Sequence, residues 1–247
     1  MKAAPEDQLR LLDVQALDTR LDQLAHRRRT LPEHAEIEKL DRQLADVRDL
    51  LVAAQTERSD LERARDKADG DVEQVRARSR RDQQRLDAGQ VGSPRELENL
   101  QSEIASLARR QSDLEDVELE ILERLENVEA RIAELDARRD ELTAERAAAV
   151  DRRDATLAEI EREESQAIPA RQELAARIEA PLLALYEKIR GQAGGIGAAS
   201  MRQRRCQGCR LELNMVEVNA IRAAPDDEVL RHDECRRILV RTPDSGL

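Results

Sequence analysis

Two pairs of metal-ligating side chains lie close together near one end of this 247-residue chain. They are Cys206-Gln207-Gly208-Cys209 and, after a gap of 22 residues, His232-Asp233-Glu234-Cys235. Thiolate and imidazole are preferred ligands of zinc, and two residues between ligands let one tight turn grip the ion with both side chains. Gly208 would ease the first turn and let backbone N–H groups approach the thiolates. Cys206, Cys209, His232 and Cys235 therefore read as the four ligands of one structural zinc. A closed set of four leaves no position for water or substrate, so this chemistry is not catalytic. A redox role for Cys206 and Cys209 would call for a βαβ surrounding that the sequence does not show. Three cysteines cannot all pair within one chain, and a reducing compartment favours a metal role for them.

The same region is rich in arginine. Residues 190 to 247 hold ten Arg against eight acidic side chains, while the whole chain carries a formal net charge of −11. The long preceding part is therefore acidic and would disfavour phosphate, so any nucleic-acid contact is expected on the C-terminal module. The candidates are Arg202, Arg204, Arg205, Arg210, Arg236 and Arg237. The interspersed acids dilute this footprint, and a solvated mixed-charge surface is an equal alternative. No aromatic residue is present there to stack on bases, which argues against strong sequence-tolerant single-strand binding.

The elements that must position the ligands are mainly helical. There is no Phe or Trp and a single Tyr, Tyr186, and 38% of residues are charged. Such a composition builds thin aliphatic seams rather than a thick core. From Ile37 through Leu40, Leu44, Val47, Leu51 and Ala54 to Val72 and Val75, seam positions step by three and four. A second seam runs from Leu97 through Leu114, Leu125 and Val128 to Leu142. Between them, Gly89 and Gly92 end one helix and Ser93-Pro94-Arg95-Glu96 starts the next as a capping box, with Glu96 expected to reach back to Ser93. So short a loop, near 89–94, forces antiparallel neighbours. Folding about residue 91 sets position 32 opposite 150. Pro32 breaks the first helix, and the second seam shifts register near 149 to 157, so a bend is expected near 32 and 150. Arginines at seam positions such as Arg58 and Arg139 read as packed stems with solvated heads.

The expected organisation is a coiled-coil hairpin over 1–190, a Gly-rich connection over 191–200 and a zinc ribbon over 201–247. The fold class is mainly α: a long antiparallel coiled-coil hairpin with a small C-terminal zinc ribbon. Tyr186 is expected where the two parts meet, its hydroxyl reaching solvent. Leu211, Leu213, Met215, Val216, Val218 and Ile221, with Ile238-Leu239-Val240, would supply short strands and a minimal core that depends on the metal.

These motifs together resemble the bacterial C4-type zinc-ribbon family whose members carry a long N-terminal coiled-coil hairpin. The resemblance spans essentially the whole chain and rests on Gly92-Ser93-Pro94-Arg95-Glu96-Leu97-Glu98-Asn99-Leu100 at the turn and Gly194-Gly195-Ile196-Gly197 before the ribbon. It rests as well on Cys206-Gln207-Gly208-Cys209-Arg210-Leu211 and Cys235-Arg236-Arg237-Ile238-Leu239-Val240. It implies four cysteine ligands, of which His232 replaces the third. It also implies protein or nucleic-acid binding tied to transcription and secretion machinery, with no catalytic activity.

The functional expectation is a non-enzymatic adaptor or scaffold for protein partners, with nucleic-acid binding by the Arg-rich ribbon as the alternative. No small-molecule substrate is expected of a two-helix seam without a pocket. No apolar run approaches the ~20 residues of a membrane span, and the start lacks a signal-peptide core, so a cytoplasmic location is expected.

Overall fold

The structure is a computed structural model and describes residues 1–246; the last residue of the expected ribbon, 247, lies outside the described residues. Its helices are α1 (Pro5–Arg29), α2 (Pro32–Asp87), α3 (Pro94–Ala175), α4 (Ala180–Gln192) and α5 (Met215–Ala223). The strands are β1 (Ala198–Arg202), β2 (Arg205–Cys206), β3 (Leu230–Arg231) and β4 (Ile238–Val240), followed by a 3-10 turn at Pro243–Ser245. The chain divides into two compact units, Ala35–Ala149 and Met1–His34 together with Val150–Leu247.

Within Ala35–Ala149, α2 and α3 run antiparallel as a two-stranded coiled coil. The buried positions are those of the two seams: Ile37, Leu40, Val47, Leu51, Ala54, Leu61, Ala68 and Val72 against Leu100, Leu114, Leu125, Val128 and Leu142. Leu61 meets Leu125 and Val128 in one such layer. Register is marked by ion pairs across the hairpin, including Arg76 with Glu115, Arg131 with Glu57 and Arg146 with Asp41. Asp41 thus meets α3 a few residues further along than a fold-back about residue 91 would put it.

The connecting loop is built by hydrogen bonds. Gly89 takes φ +66°, and the Gln90 and Gly89 N–H groups donate to the carbonyls of Arg85 and Leu86, satisfying the open end of α2. The Glu96 N–H donates to Ser93 Oγ at 3.2 Å. The Glu96 carboxylate accepts from the Gly92 N–H at 2.9 Å, one residue before the cap, so the expected box forms with its return bond displaced by one.

In the second unit, α1 lies against the last part of α3. Arg20 pairs with Glu163, Arg27 with Glu159 and Arg28 with Glu164. The helix breaks at Thr30 and Leu31 before Pro32, as its ring requires, whereas α3 remains helical through 149 to 157, where the seam shifts register. Helix α4 then leads into a four-stranded sheet of order β2-β1-β4-β3, in which β1 and β4 are parallel and the other pairs antiparallel.

The sheet has two packed faces because side chains alternate along a strand. Ala198, Ile238 and Val240 face Leu11 and Val14 of α1 and Leu182, Tyr186 and Ile189 of α4. Ala199, Met201 and Leu239 face Cys206, Leu213, Val218 and Ile221. The stretch from 211 to 221, expected to supply strands, is instead helical from Met215 onward, within α5. Asn214 caps that helix by accepting the Glu217 N–H at 2.8 Å, and Val218 and Ile221, three apart, bury one face. That spacing serves a short helix as well as a strand with one break, and the cap decides between them.

Tyr186 corrects another expectation. Its side chain is fully buried, and the hydroxyl donates to Asp18 Oδ2 at 2.7 Å instead of reaching solvent. Asp18 also accepts from Arg171 Nε at 3.1 Å. Burial, and then the neighbouring Asp18 carboxylate, push the Tyr186 phenol well above its usual range, so it remains a donor at neutral pH.

Gly197, in the Gly-rich segment after α4, is needed for close approach. A Cβ on Gly197 would lie 2.7 Å from the Tyr186 carbonyl oxygen and 2.8 Å from its ring. Gln15 binds the corner, accepting from the Gly197 N–H at 2.7 Å and donating to the Gly195 carbonyl at 2.9 Å. Gly197→Ala is therefore expected to destabilise this unit by ~1–3 kcal/mol through overpacking. Tyr186→Phe should cost a similar ~1–3 kcal/mol because the buried Asp18 loses a charge-assisted donor. Urea denaturation followed by circular dichroism is the check, and midpoints unchanged from the parent would contradict both statements.

Candidate metal centre

The two ligand pairs are delivered by two turns of the same make. In the first, the Arg210 N–H donates to the Cys206 carbonyl at 2.8 Å; in the second, the Arg236 N–H donates to the His232 carbonyl at 2.8 Å. Arg210 and Arg236 both sit at positive φ, +64° and +61°, where the chain must reverse after the second ligand. Between the first pair, Gly208 leaves room for its neighbours: a Cβ there would stand 2.9 Å from Arg237 Cδ and 3.0 Å from Ala199 Cβ. Its role is thus close approach as well as an easy turn.

The first ligand turn follows β2 and the second joins β3 to β4, and β2 and β3 flank the parallel β1–β4 pair of one small sheet, which brings the two turns together. As a result the Sγ atoms of Cys206, Cys209 and Cys235 and a ring nitrogen of His232 all lie within 4.8 Å of one another. His232 Nδ1 is 3.0 Å from Cys235 Sγ and 3.3 Å from Cys209 Sγ, and Cys206 Sγ is 4.0 Å from Cys235 Sγ. A tetrahedral ion with zinc–ligand bonds near 2.3 Å for sulfur and 2.0 Å for nitrogen requires edges of about 3.8 Å and about 3.5 Å. The donor set and its spacing fit zinc, and none of the three thiols is in a disulfide.

The electrostatics are uneven. Burial pushes the Cys206 thiol up to about 11, with the N–H groups of Gly208 and Cys209 opposing that rise. Burial acts the same way on Cys235 but is outweighed by the Arg237 N–H and by His232, which bring this thiol down to about 7. Backbone N–H groups aimed at sulfur are what a thiolate ligand needs around it.

A further side chain faces the site that linear spacing did not single out. Glu217 of α5 is buried, its Oε1 accepts the Asp233 N–H at 2.9 Å, and its Oε2 lies 3.9 Å from His232 Nε2. His232 is fully buried, and this Nε2 has no hydrogen-bond partner. Glu217 precedes His232 by 15 residues, and the cap at Asn214 turns it toward the metal cluster.

The arginines fall into two groups. Arg202, Arg204, Arg205, Arg210 and Arg236 are exposed, and among the described residues none of them makes an ion pair with a carboxylate. Arg204 Nη1 lies 3.5 Å from Met215 Sδ. Arg237 is instead half-buried and spends its guanidinium on the carbonyls of Ala193 at 2.7 Å and Ile196 at 3.0 Å, tying the second turn to the glycine corner.

A closed Cys3His cluster on a small sheet packed against α1 and α4, together with an antiparallel helical hairpin, defines a coiled-coil hairpin protein with a zinc ribbon. The chain belongs to the family of the CT398-like coiled coil hairpin domain, which matches residues 14–194, and a C4-type zinc ribbon domain matches residues 205–239. It is 36% identical over 241 residues to an uncharacterized protein of Mycobacterium tuberculosis, covering 98% of each chain. A solved structure from Mycobacterium smegmatis aligns with a TM-score of 0.84 at 35% identity, over 98% of this chain and 100% of that one. CT398 from Chlamydia trachomatis aligns with a TM-score of 0.70 at 17% identity, over 96% and 98% of the two chains, which is a likeness of fold.

One zinc is expected per chain by metal analysis. Cys209→Ser should release it and lower the ordering of the ribbon while most helical signal by circular dichroism persists, because the seam of α2 and α3 makes no use of the ion. Full zinc retention in that variant would contradict the geometry.

Proposed function

We propose that this chain is a non-enzymatic adaptor, in which zinc held by Cys206, Cys209, His232 and Cys235 fixes a ribbon that offers protein partners an apolar groove. The observation that carries the reading is the groove between α5 and β3, a cavity of about 690 Å³ lined by Val216, Ala220, Ile221 and Leu230 together with charged Glu228 and Arg231. On the same helix Val216 is 80% exposed and Met215 55% exposed, and Leu211 just before it is 52% exposed. Of these Val216 lines the groove itself, and exposed large apolar side chains cost solubility unless something covers them. Four-ligand zinc gives no open coordination position, which supports a structural metal over a catalytic one. No helix of the described residues is long and apolar enough to cross a membrane, and three unpaired thiols suit the cytoplasm, the compartment this reading includes.

Nucleic-acid binding is the second reading, supported by what the ribbon arginines cost. Gln203, Arg204, Arg210 and Arg236 all adopt positive φ, a conformation that Gly or Asn takes more cheaply. Three arginines held there display their side chains around the metal turns, and strain of ~1 kcal/mol each points to a use at the surface.

Affinity capture on the full chain separates the two readings. Protein partners should persist after nuclease treatment and be lost with Val216→Glu, which places a charge over the groove; partners lost to nuclease but kept by the variant would overturn the adaptor. In a titration against a duplex or single strand, any binding should fall steeply with salt, since phosphate contacts release counterions. It should also drop when Arg204 and Arg205 are both changed to Glu. No binding at low salt, or binding indifferent to that double change, removes the second reading.

A further inference from the structure

We infer that Glu217 is a positioning residue of the metal centre, and that His232 and Glu217 together stand in for one thiolate. The inference rests on the proposed four-ligand zinc and adds to it the residue that makes the histidine workable. His232 turns Nδ1 toward the three thiols, which leaves Nε2 on the far side of the ring, fully buried and with no hydrogen-bond partner. A neutral imidazole that gives Nδ1 to a metal must carry its proton on Nε2, and a buried N–H without an acceptor is costly. The group that this nitrogen faces is the Glu217 carboxylate, 3.9 Å away and itself buried, with Oε1 already fixed by the Asp233 N–H. Closing a hydrogen bond from Nε2 to Oε2 needs a movement of about 1 Å, within the reach of one side-chain torsion.

Charge leads to the same conclusion. Zinc with four thiolates carries a net −2, the set that a four-cysteine ribbon provides; three thiolates and a neutral imidazole leave −1. A carboxylate aimed at the imidazole restores the missing negative charge on the far side of the ring, and raises the basicity of the ligating nitrogen. Glu217 is moreover attached to the second turn through the Asp233 N–H, so the acceptor and the ligand it orients move together. Asn214, by capping α5 at the Glu217 N–H, sets the rotational position of this carboxylate.

The test is a pair of substitutions in two backgrounds on the full chain, read by zinc competition with a chromogenic chelator. Glu217→Ala should weaken zinc by ~10–100-fold where His232 is present. Glu217→Gln, whose amide oxygen can serve the Asp233 N–H or the imidazole but not both, should fall between. In a His232→Cys chain, which is expected to hold zinc at least as tightly as the parent, both changes at Glu217 should alter affinity by less than about threefold, because no imidazole proton needs an acceptor. A 15N spectrum of the zinc-loaded parent should show the metal on Nδ1 and the proton on Nε2. Equal losses in both backgrounds would make Glu217 a fold residue alone and overturn the inference, as would no loss in either, metal on Nε2, or a His232→Cys chain unable to hold zinc. A parent chain that holds no zinc would overturn the metal reading itself, a result distinct from all of these.

Discussion

The parallel pairing of β1 with β4 is the constraint from which the C-terminal part of the molecule follows. Only three residue pairs make it, Ala198 with Ile238, Ala199 with Leu239 and Ser200 with Val240. A parallel pair cannot be closed by a tight turn, so the chain between them must make an excursion, and here it holds β2, α5 and β3. One ligand pair follows β1 and the other precedes β4, which means that the metal closes the excursion at its two ends. The alternation of side chains gives the pair two dry faces, one against α1 and α4 and the other against α5 and the thiols. A ribbon too small to form a core of its own thus shares one with α1 and α4.

That sharing explains why a polar cluster is tolerated where α1, α3 and α4 meet. Asp18 is nearly inaccessible yet accepts from the Tyr186 hydroxyl and from Arg171, with the Arg190 guanidinium as an ion-pair neighbour at 3.6 Å. A buried carboxylate left unpaired would be severely destabilising, whereas one with full hydrogen bonding fixes which faces of the helices meet. Because apolar packing between helices is permissive about rotation, the position of Asp18 selects one arrangement, and Gln15, one turn earlier on α1, carries the selection to the glycine corner. The N-terminal residues are tied to the segment just before β3, where the Ala3 N–H donates to the Asp227 carbonyl and Met1 accepts from the Val229 N–H.

The parts of this architecture that repeat were legible in the sequence, and the parts that occur once were not. Heptad spacing is redundant, so the seam survives Arg58 and Arg139 standing in it; the loop is announced by Gly89, Ser93, Pro94 and Glu96 acting together. The ligand pairs are legible because the chemistry of zinc restricts both residue type and spacing. Glu217 could not be found that way, since it reaches the site across space from a helix whose own existence hinges on one cap. The burial of the Tyr186 hydroxyl was hidden for a similar reason: its acceptor is 168 residues away. Helix α5 itself was ambiguous, because nine residues with two inward apolar positions satisfy either period.

The long hairpin poses a different problem, which its ion pairs address. A heptad seam can slip by seven residues and still present apolar side chains to apolar side chains, so the seam alone does not define register. Surface ion pairs such as Arg131 with Glu57 and Arg76 with Glu115 each contribute no more than ~1 kcal/mol, too little to hold the hairpin together. Register selection needs only differences, however. A slip would break several of these pairs at once, and it would also undo the bonds at Gly89 and Glu96 that close the loop. The aliphatic seam therefore supplies the cohesion, while the charged flanks and the short loop decide which of several equivalent seams is formed.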